Sequence, residues 1–197
     1  YLKADKSRHS EAVIGKGKTK LVAFACSTGG PKALHDVIPY LPANLDAAVL
    51  LVQHMPVGFT KSMADRLNEV SKVSVKEAED GDHLEKGHVY VAPGGKHLEV
   101  KRNTDGTHRI ALNDMYDSLC DCGFDEVVCV VLTGMGADGT KGILTLSRKK
   151  PIYVIAQDEK TCVVYGMPKA VADAGLTDQV VPLQEVANAI TKKVGVR

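Results

Sequence analysis

Three side chains that could together perform nucleophilic catalysis lie shortly after apolar runs of the sequence: Ser27, His54 and Asp138. A serine hydroxyl is a weak nucleophile until a neighbouring histidine accepts its proton. A carboxylate can hold that histidine in a productive orientation and stabilise its charged form. A serine, a histidine and an aspartate within bonding reach would therefore support acyl transfer from an ester or an amide.

The residues that follow Ser27 suit this chemistry. Thr28, Gly29, Gly30 and Pro31 come next, and a pattern typical of a helix begins there. The unpaired N–H groups at a helix N-terminus can stabilise a negatively charged oxygen, by about 3 kcal/mol for each donor. Because glycine has no side chain, we expect the two glycines to let a substrate carbonyl approach the hydroxyl.

Each of the three residues also has a purely structural explanation. Ser27 could be the N-cap of the following helix, and Asp138 the cap of a later one. His54 could be a histidine whose hydrogen bonds are satisfied at the end of a strand. From the residues alone these explanations stay open, because polar residues are common at strand ends.

A second functional hypothesis rests on "GMGADG" (134–139), which has the G-x-G-x-x-G form of a dinucleotide-binding turn. It follows a predicted strand, as that fingerprint requires. The fingerprint normally comes after the first strand of a sheet, with an acidic residue about 20 positions later. Here it comes late, and Asp158 or Glu159 would have to fill the acidic role, so this hypothesis is the weaker one.

The elements that would position these residues follow from apolar periodicity. Strand-like apolar runs alternate with amphipathic, helix-like segments; the runs are 20–26, 47–54, 126–132, 151–157 and 178–183, and the segments are 30–41, 57–70, 138–150, 167–175 and 184–194. This alternation predicts an α/β fold with a doubly wound, mostly parallel sheet. The segment 88–112, with its turn signals "PGG" and "NTDG", predicts a short antiparallel part at one edge. Sites in such sheets lie beyond the carboxyl ends of the strands, where Ser27, His54 and Asp138 would meet.

Composition excludes several classes of function. The net charge is +1 and Trp is absent, which argues against nucleic-acid binding. No apolar run approaches the roughly 20 residues of a membrane span, so we expect no membrane insertion. The five cysteines are odd in number, which is typical of reduced thiols in the cytoplasm. Cys120 and Cys122 lie too close together for common zinc spacing, so we expect no metal.

The organisation of the chain indicates one folded domain. Residues 1–20 lack apolar periodicity and begin with Tyr1, so we expect a linker remnant of a larger protein. Residues 21–197 form the predicted domain.

Five segments resemble the catalytic domain of the bacterial chemotaxis protein-glutamate methylesterases. They are "ACSTGGPKAL", "LLVQHMPVGFTKSMADRLN", "VKEAEDGDHLEKGHVYVAPGGKHLEV", "VVLTGMGADGTKG" and "VIAQDEKTCVVYGMPKAVADAG". They occur in the order that the family shows and lie between about residues 20 and 194, so the resemblance is specific.

The resemblance implies a hydrolase that cleaves γ-glutamyl methyl esters on the cytoplasmic helices of chemoreceptors. Some members also deamidate receptor glutamines. It assigns Ser27 as the nucleophile, His54 as the base, Asp138 as the acidic partner, and the backbone N–H groups of Thr28 and Met135 as oxyanion donors. It also implies a cytoplasmic protein that needs no cofactor, with an N-terminal receiver domain in the full-length chain.

The sequence departs from the family pattern in three places. Ala25 stands where the family usually has glycine, and a Pro-rich stretch is missing at the 114–115 connection, either deleted or left out of the sequence as an unseen loop. Nothing resembles the receiver domain, so we expect this fragment to be constitutively active. A receptor-binding module with an inactive triad remains the alternative to an enzyme, and a fluorophosphonate probe would separate the two.

Overall fold

Parallel strands form the main sheet of the computed structural model, which describes residues 19–113 and 123–197 except for the side chains of Asn113 and Asp138. The strands are β1 (Lys20–Cys26), β2 (Ala48–Gln53), β3 (Ser74–Glu77), β4 (His88–Val91), β5 (His97–Arg102), β6 (His108–Asn113), β7 (Glu126–Val131), β8 (Ile152–Gln157) and β9 (Gln179–Val181). The main sheet has the order β3-β4-β2-β1-β7-β8-β9, and β5 and β6 form a separate antiparallel pair. The predicted doubly wound sheet with a short antiparallel segment is confirmed.

Helices cover both faces of this sheet, so its central strands are buried on both sides. The helices are α1 (Gly30–His35), α2 (Phe59–Val70), α3 (Asp138–Lys149), α4 (Met167–Asp173) and α5 (Val186–Val194). Alternate residues of β1 enter different clusters: Val22 and Phe24 pack with α1, α2 and α5, whereas Leu21 packs with α3, α4 and the β5–β6 hairpin. Strands buried on both faces have nearly continuous apolar sequences, as the predicted runs do.

The first helix is shorter than its sequence pattern predicts. The pattern extends over 30–41, but α1 ends at His35 and a short 3-10 helix follows at Ile38–Tyr40. Pro39 explains the break, because proline has no N–H to donate and disfavours the α conformation of the residue before it.

The segment 88–112 is antiparallel only in its later part. His88–Val91 pairs in parallel with β2 and β3, so the prediction of an antiparallel strand there is wrong. Alternation of polar and apolar residues shows that a strand has unlike faces, but it does not show the direction of its neighbours. The "PGG" sequence is consequently a loop at the carboxyl end of β4 and not a hairpin turn.

Several expectations fall outside the described residues. They are the linker over most of 1–20, the nature of the 114–115 connection and the absence of a metal at Cys120 and Cys122. Across residues 19–113 and 123–197, no helix is long and apolar enough to cross a membrane.

Candidate active site

Ser27 lies at the carboxyl end of the central strand β1, where two neighbouring segments hold its backbone. Its N–H donates to the carbonyl of Thr133, which follows β7, at 3.1 Å. Its carbonyl accepts from the N–H of Gly30 at 2.8 Å and from Nε2 of Gln53 at 3.0 Å. The N-cap of α1 is Gly29 and makes no side-chain cap bond, so Ser27 is not the cap.

His54 is the neighbour of Ser27 on the next strand. The last pair in the β1–β2 register is Cys26 opposite Gln53, and the N–H of His54 donates to the carbonyl of Cys26 at 3.3 Å. Adjacent strands lie about 4.8 Å apart, so Ser27 and His54 emerge side by side from the sheet. The His54 side chain is exposed and Ser27 is half-buried, which leaves this pair open to a substrate.

Asp138 is the first residue of α3, which begins after the loop that leaves β7. The N-cap of this helix is Ala137, so Asp138 does not occupy the cap position. The next residue, Gly139, lies against Ala25: a Cβ built on Gly139 would be 3.8 Å from the Cβ of Ala25. The backbone of α3 therefore begins close to the strand end that carries Ser27.

The turn after β7 borders Ser27 and requires a glycine. A Cβ on Gly134 would lie 2.3 Å from Sδ of Met167 and 3.0 Å from the Cβ of Ser27. Within the described part of the chain, the backbone N–H groups of Thr28 and Met135 donate to no protein acceptor. Two donors without an acceptor among the described residues thus lie on the turns that flank the serine.

The glycines after Ser27 serve a different purpose from the predicted one. Gly29 has a φ of +81°, and a Cβ there would lie 2.7 Å from the Cβ of Val163. Gly30 is buried, and a Cβ there would lie 1.8 Å from Oε1 of Gln53. Protein atoms fill the space at both positions, so these glycines allow close packing of the turn and do not open a path for a substrate carbonyl.

A glycine loop from β4 supports the segment that follows His54. A Cβ on Gly94 would lie 2.6 Å from the carbonyl oxygen of Pro56, and the N–H of Gly94 donates to Oγ1 of Thr60 at 3.0 Å. Thr60 is fully buried, and its hydroxyl donates to the carboxylate of Glu77. The "PGG" sequence therefore fixes the course of the chain beyond His54.

Three buried polar residues at the site were missed by the sequence analysis: Gln53, Thr133 and Gln157. The hydroxyl of Thr133 donates to the carbonyl of Thr28 at 3.0 Å and accepts from the N–H of Val164 at 2.9 Å. Oε1 of Gln157 accepts from the N–H of Thr133 at 2.9 Å. The sequence did contain a signal for such residues: a polar residue that ends an apolar strand is buried together with that strand.

The thiol beside Ser27 does not compete as a nucleophile. Burial raises the pKa of Cys26 to about 12, and burial together with the Asp158 carboxylate raises the pKa of Cys162 to about 11. The thiolate is the reactive form of cysteine, so both groups are inert near neutral pH.

The dinucleotide hypothesis loses its support in this geometry. Met167 and Ser27 pack against Gly134, the first glycine of the motif, which serves the tight turn and not the approach of a pyrophosphate. Asp158, proposed as its acidic residue, accepts hydrogen bonds from the N–H and hydroxyl of Thr161. Among the residues that the structure describes, no group of three His, Cys, Asp or Glu side chains could hold a metal ion.

The fold is α/β, with Ser27 and His54 side by side at adjacent strand ends of a parallel sheet. The chain belongs to the CheB methylesterase family, whose model matches residues 22–190. The family inferred from the five sequence motifs is thereby confirmed.

Named relatives and a solved structure agree with this family. The protein-glutamate methylesterase/protein-glutamine glutaminase 1 of Syntrophomonas wolfei is 46% identical over 187 residues, which is 87% of this chain and 53% of that protein. The protein-glutamate methylesterase/protein-glutamine glutaminase of Bacillus subtilis is 43% identical over 192 residues, which is 91% of this chain and 54% of that protein. The crystal structure of the Thermotoga maritima CheB methylesterase catalytic domain superposes with a TM-score of 0.84 at 40% identity, over 90% of this chain and 100% of that one. The chain spans about half the length of the relatives it matches.

Proposed function

We propose that this chain is the catalytic part of a protein-glutamate methylesterase that hydrolyses γ-glutamyl methyl esters on the cytoplasmic helices of chemoreceptors. The observation that carries the proposal is the pairing of Ser27 and His54 on adjacent strand ends, in a chain of this family. Deamidation of receptor glutamines uses the same acyl chemistry with ammonia as the leaving group, as the double name of the relatives indicates.

The reaction proceeds through an acyl-enzyme. The hydroxyl oxygen of Ser27 attacks the ester carbonyl while His54 takes the proton, and Asp138 orients the imidazole. The N–H groups of Thr28 and Met135, which have no acceptor among the described residues, receive the oxyanion. His54 then gives its proton to the departing methanol, and water hydrolyses the acyl-enzyme by the same relay to leave glutamate.

The substrate helix lies across the mouth of the site. Apolar side chains are exposed on the two segments that flank it: Val57 and Phe59 after His54, and Met135 after β7. An exposed group of apolar residues beside a site favours contact with a protein partner. In the full-length protein, which acts in the cytoplasm, we propose that a receiver domain precedes this part, because the relatives are about twice as long.

The test of this function is replacement of the nucleophile. Ser27→Ala should lower methanol release from a methylated chemoreceptor fragment by about 10⁴-fold or more, because the acyl-enzyme cannot form. Labelling by a fluorophosphonate probe should disappear as well. The exposed Ser74 is the matched control, and Ser74→Ala should retain both activities.

Two results would contradict the proposal. Methanol release at the wild-type rate from Ser27→Ala would remove Ser27 from its role. A wild-type chain that binds the methylated receptor but neither releases methanol nor reacts with the probe would be a receptor-binding module with an inactive site.

A further inference from the structure

Gln53 bridges the two strand ends at the point where the hydrogen bonds between their backbones stop. The β1–β2 register ends with Cys26 opposite Gln53, so the carbonyls of Ser27 and His54 lie beyond the ladder. Nε2 of Gln53 donates to both of them, at 3.0 Å to Ser27 and 3.1 Å to His54. The side chain is only 5% exposed, so water does not compete for these bonds.

We propose that Gln53 is a positioning residue that sets the separation of Ser27 and His54. The inference rests on the proposed function, which makes these two residues the nucleophile and the base. One NH₂ group holds the backbone of both, so a shift of either strand end relative to the other must lengthen a hydrogen bond.

A carboxamide fits this role, and the carboxylate of the same shape does not. Its NH₂ carries two donors, one for each carbonyl, whereas an ionised glutamate carries none. The other end of the group, Oε1, is buried with no hydrogen-bond partner among the described residues. A buried acceptor without a partner destabilises a fold, so stability alone does not account for Gln53 at this position.

Gly30 is shaped to the Gln53 side chain. A Cβ on Gly30 would lie 1.8 Å from Oε1 and 2.9 Å from Cδ of Gln53, so no other residue at position 30 is compatible with the observed rotamer. Gln53 thus contacts the turn that begins at Ser27 at two points: it donates to the carbonyl of Ser27, and its side chain fills the space beside Gly30.

A change in the separation of Ser27 and His54 should affect the chemical step of the reaction. His54 must reach the serine hydroxyl in acylation and the attacking water in deacylation, so a change of spacing slows both. A misplacement of about 1 Å can lower a rate by about 10²-fold. The binding surface around the site does not include the buried Gln53, so substrate affinity should change little.

The first test is Gln53→Met, which keeps the length of the side chain and removes both donors. With a soluble chemoreceptor fragment bearing γ-methyl glutamate, we expect kcat to fall by about 10- to 100-fold while KM stays within about twofold. The rate of fluorophosphonate labelling should fall in parallel. Tyr90→Phe is the control, because this buried hydroxyl also ties backbone groups, those of His83 and Glu85, away from Ser27; its kcat should match the wild type.

Gln53→Glu keeps the shape of the side chain and makes the inference testable even if the methionine variant does not fold. A buried carboxyl facing two carbonyls can donate only when protonated. The ratio of its kcat to that of the wild type should therefore rise as the pH is lowered. Taking the ratio removes the pH effects that the two proteins share.

A double-mutant cycle tests the fit with Gly30. Gly30→Ala should lower kcat in the wild type, and should have a much smaller further effect in a Gln53→Ala background, where only the 3.2 Å approach to the Cβ of Cys26 remains. Independent effects of the two changes would overturn the fit.

The outcomes separate this inference from the proposed function. Wild-type kcat in Gln53→Met, a change confined to KM, or a pH-independent ratio in Gln53→Glu would overturn the positioning role. A wild-type protein without methanol release and without Ser27 labelling would overturn the proposed function instead.

Discussion

Gln53 and Gln157 occupy matching places in the sheet. Each is buried and is the last residue of a strand that flanks one of the two central strands: β2 flanks β1, and β8 flanks β7. Gln157 uses both ends of its carboxamide, accepting from the N–H of Thr133 and donating to the carbonyl of Thr161 at 2.8 Å. Gln53 uses only its NH₂ group, which donates to the carbonyls of Ser27 and His54, while its oxygen has no partner within the described residues.

The difference separates two uses of the same residue type. A carboxamide with both ends paired stabilises the interior and joins β7 to the chain beyond β8. A carboxamide whose oxygen has no partner contributes less to stability. The presence of glutamine at position 53 is therefore better explained by the geometry that its NH₂ group imposes on the candidate catalytic pair. Stability and activity should consequently rank the two glutamines in opposite order.

The largest expected difference is in stability. Gln157→Met leaves the buried N–H of Thr133 and the carbonyl of Thr161 without their partner, which should lower the free energy of unfolding by about 2–3 kcal/mol. Gln53→Met loses two hydrogen bonds but also removes the unpaired oxygen, so about 1 kcal/mol is expected. Urea unfolding measures both values. Equal losses, or a larger loss for Gln53, would break the comparison.

Thr133→Val tests how much the turn after β7 contributes to stability and to activity. The exchange keeps the branched shape and removes the hydroxyl that binds the carbonyl of Thr28 and the N–H of Val164. We expect a loss of stability of about 1–2 kcal/mol and a smaller fall in kcat than in Gln53→Met, because the backbone bond from Ser27 to the Thr133 carbonyl remains. Thr133→Ser, which restores the hydroxyl, is the control. A fall in kcat greater than that of Gln53→Met would mean that this turn dominates the spacing.

His108 gives the smallest effect and tests whether an unpaired buried atom matters to activity by itself. Its ring stacks on Phe124 at 4.1 Å, and Nε2 is buried without a partner among the described residues. Burial, followed by the charge of Arg102, lowers the pKa of His108. The folded state therefore binds its proton less readily than the unfolded state, and stability is lost as the pH falls below about 6.5.

We expect His108→Phe to keep the stacking and to show a smaller loss of stability between pH 8 and pH 5 than the wild type. Thermal unfolding across that range measures the difference. Methanol release at neutral pH should be unchanged, in contrast to Gln53→Met. If the two proteins lost equal stability between pH 8 and pH 5, groups other than His108 would be responsible for the loss.

Sequence patterns were sufficient for the strand ends that carry Ser27 and His54, because long apolar runs and the residues after them are visible without coordinates. They were insufficient for β4, whose alternation is compatible with parallel or antiparallel neighbours. Gln53 was overlooked because it adjoins His54 in the chain, and its role depends on which carbonyls the strand register brings within reach. The Gly30–Gln53 contact joins two elements and has no local signature in the sequence.

The placement of the first strand in the middle of the sheet has a consequence for biosynthesis. β1 is followed at once by one of its neighbours, β2, yet the other neighbour, β7, is made only after β2 to β6. Until then the N–H of Ser27 lacks its acceptor on Thr133, and the turn that carries Met135 does not exist. Ser27 is therefore synthesised well before the candidate site can form, and fluorophosphonate labelling of a nascent chain should begin only after the segment through β7 and its following turn has been made.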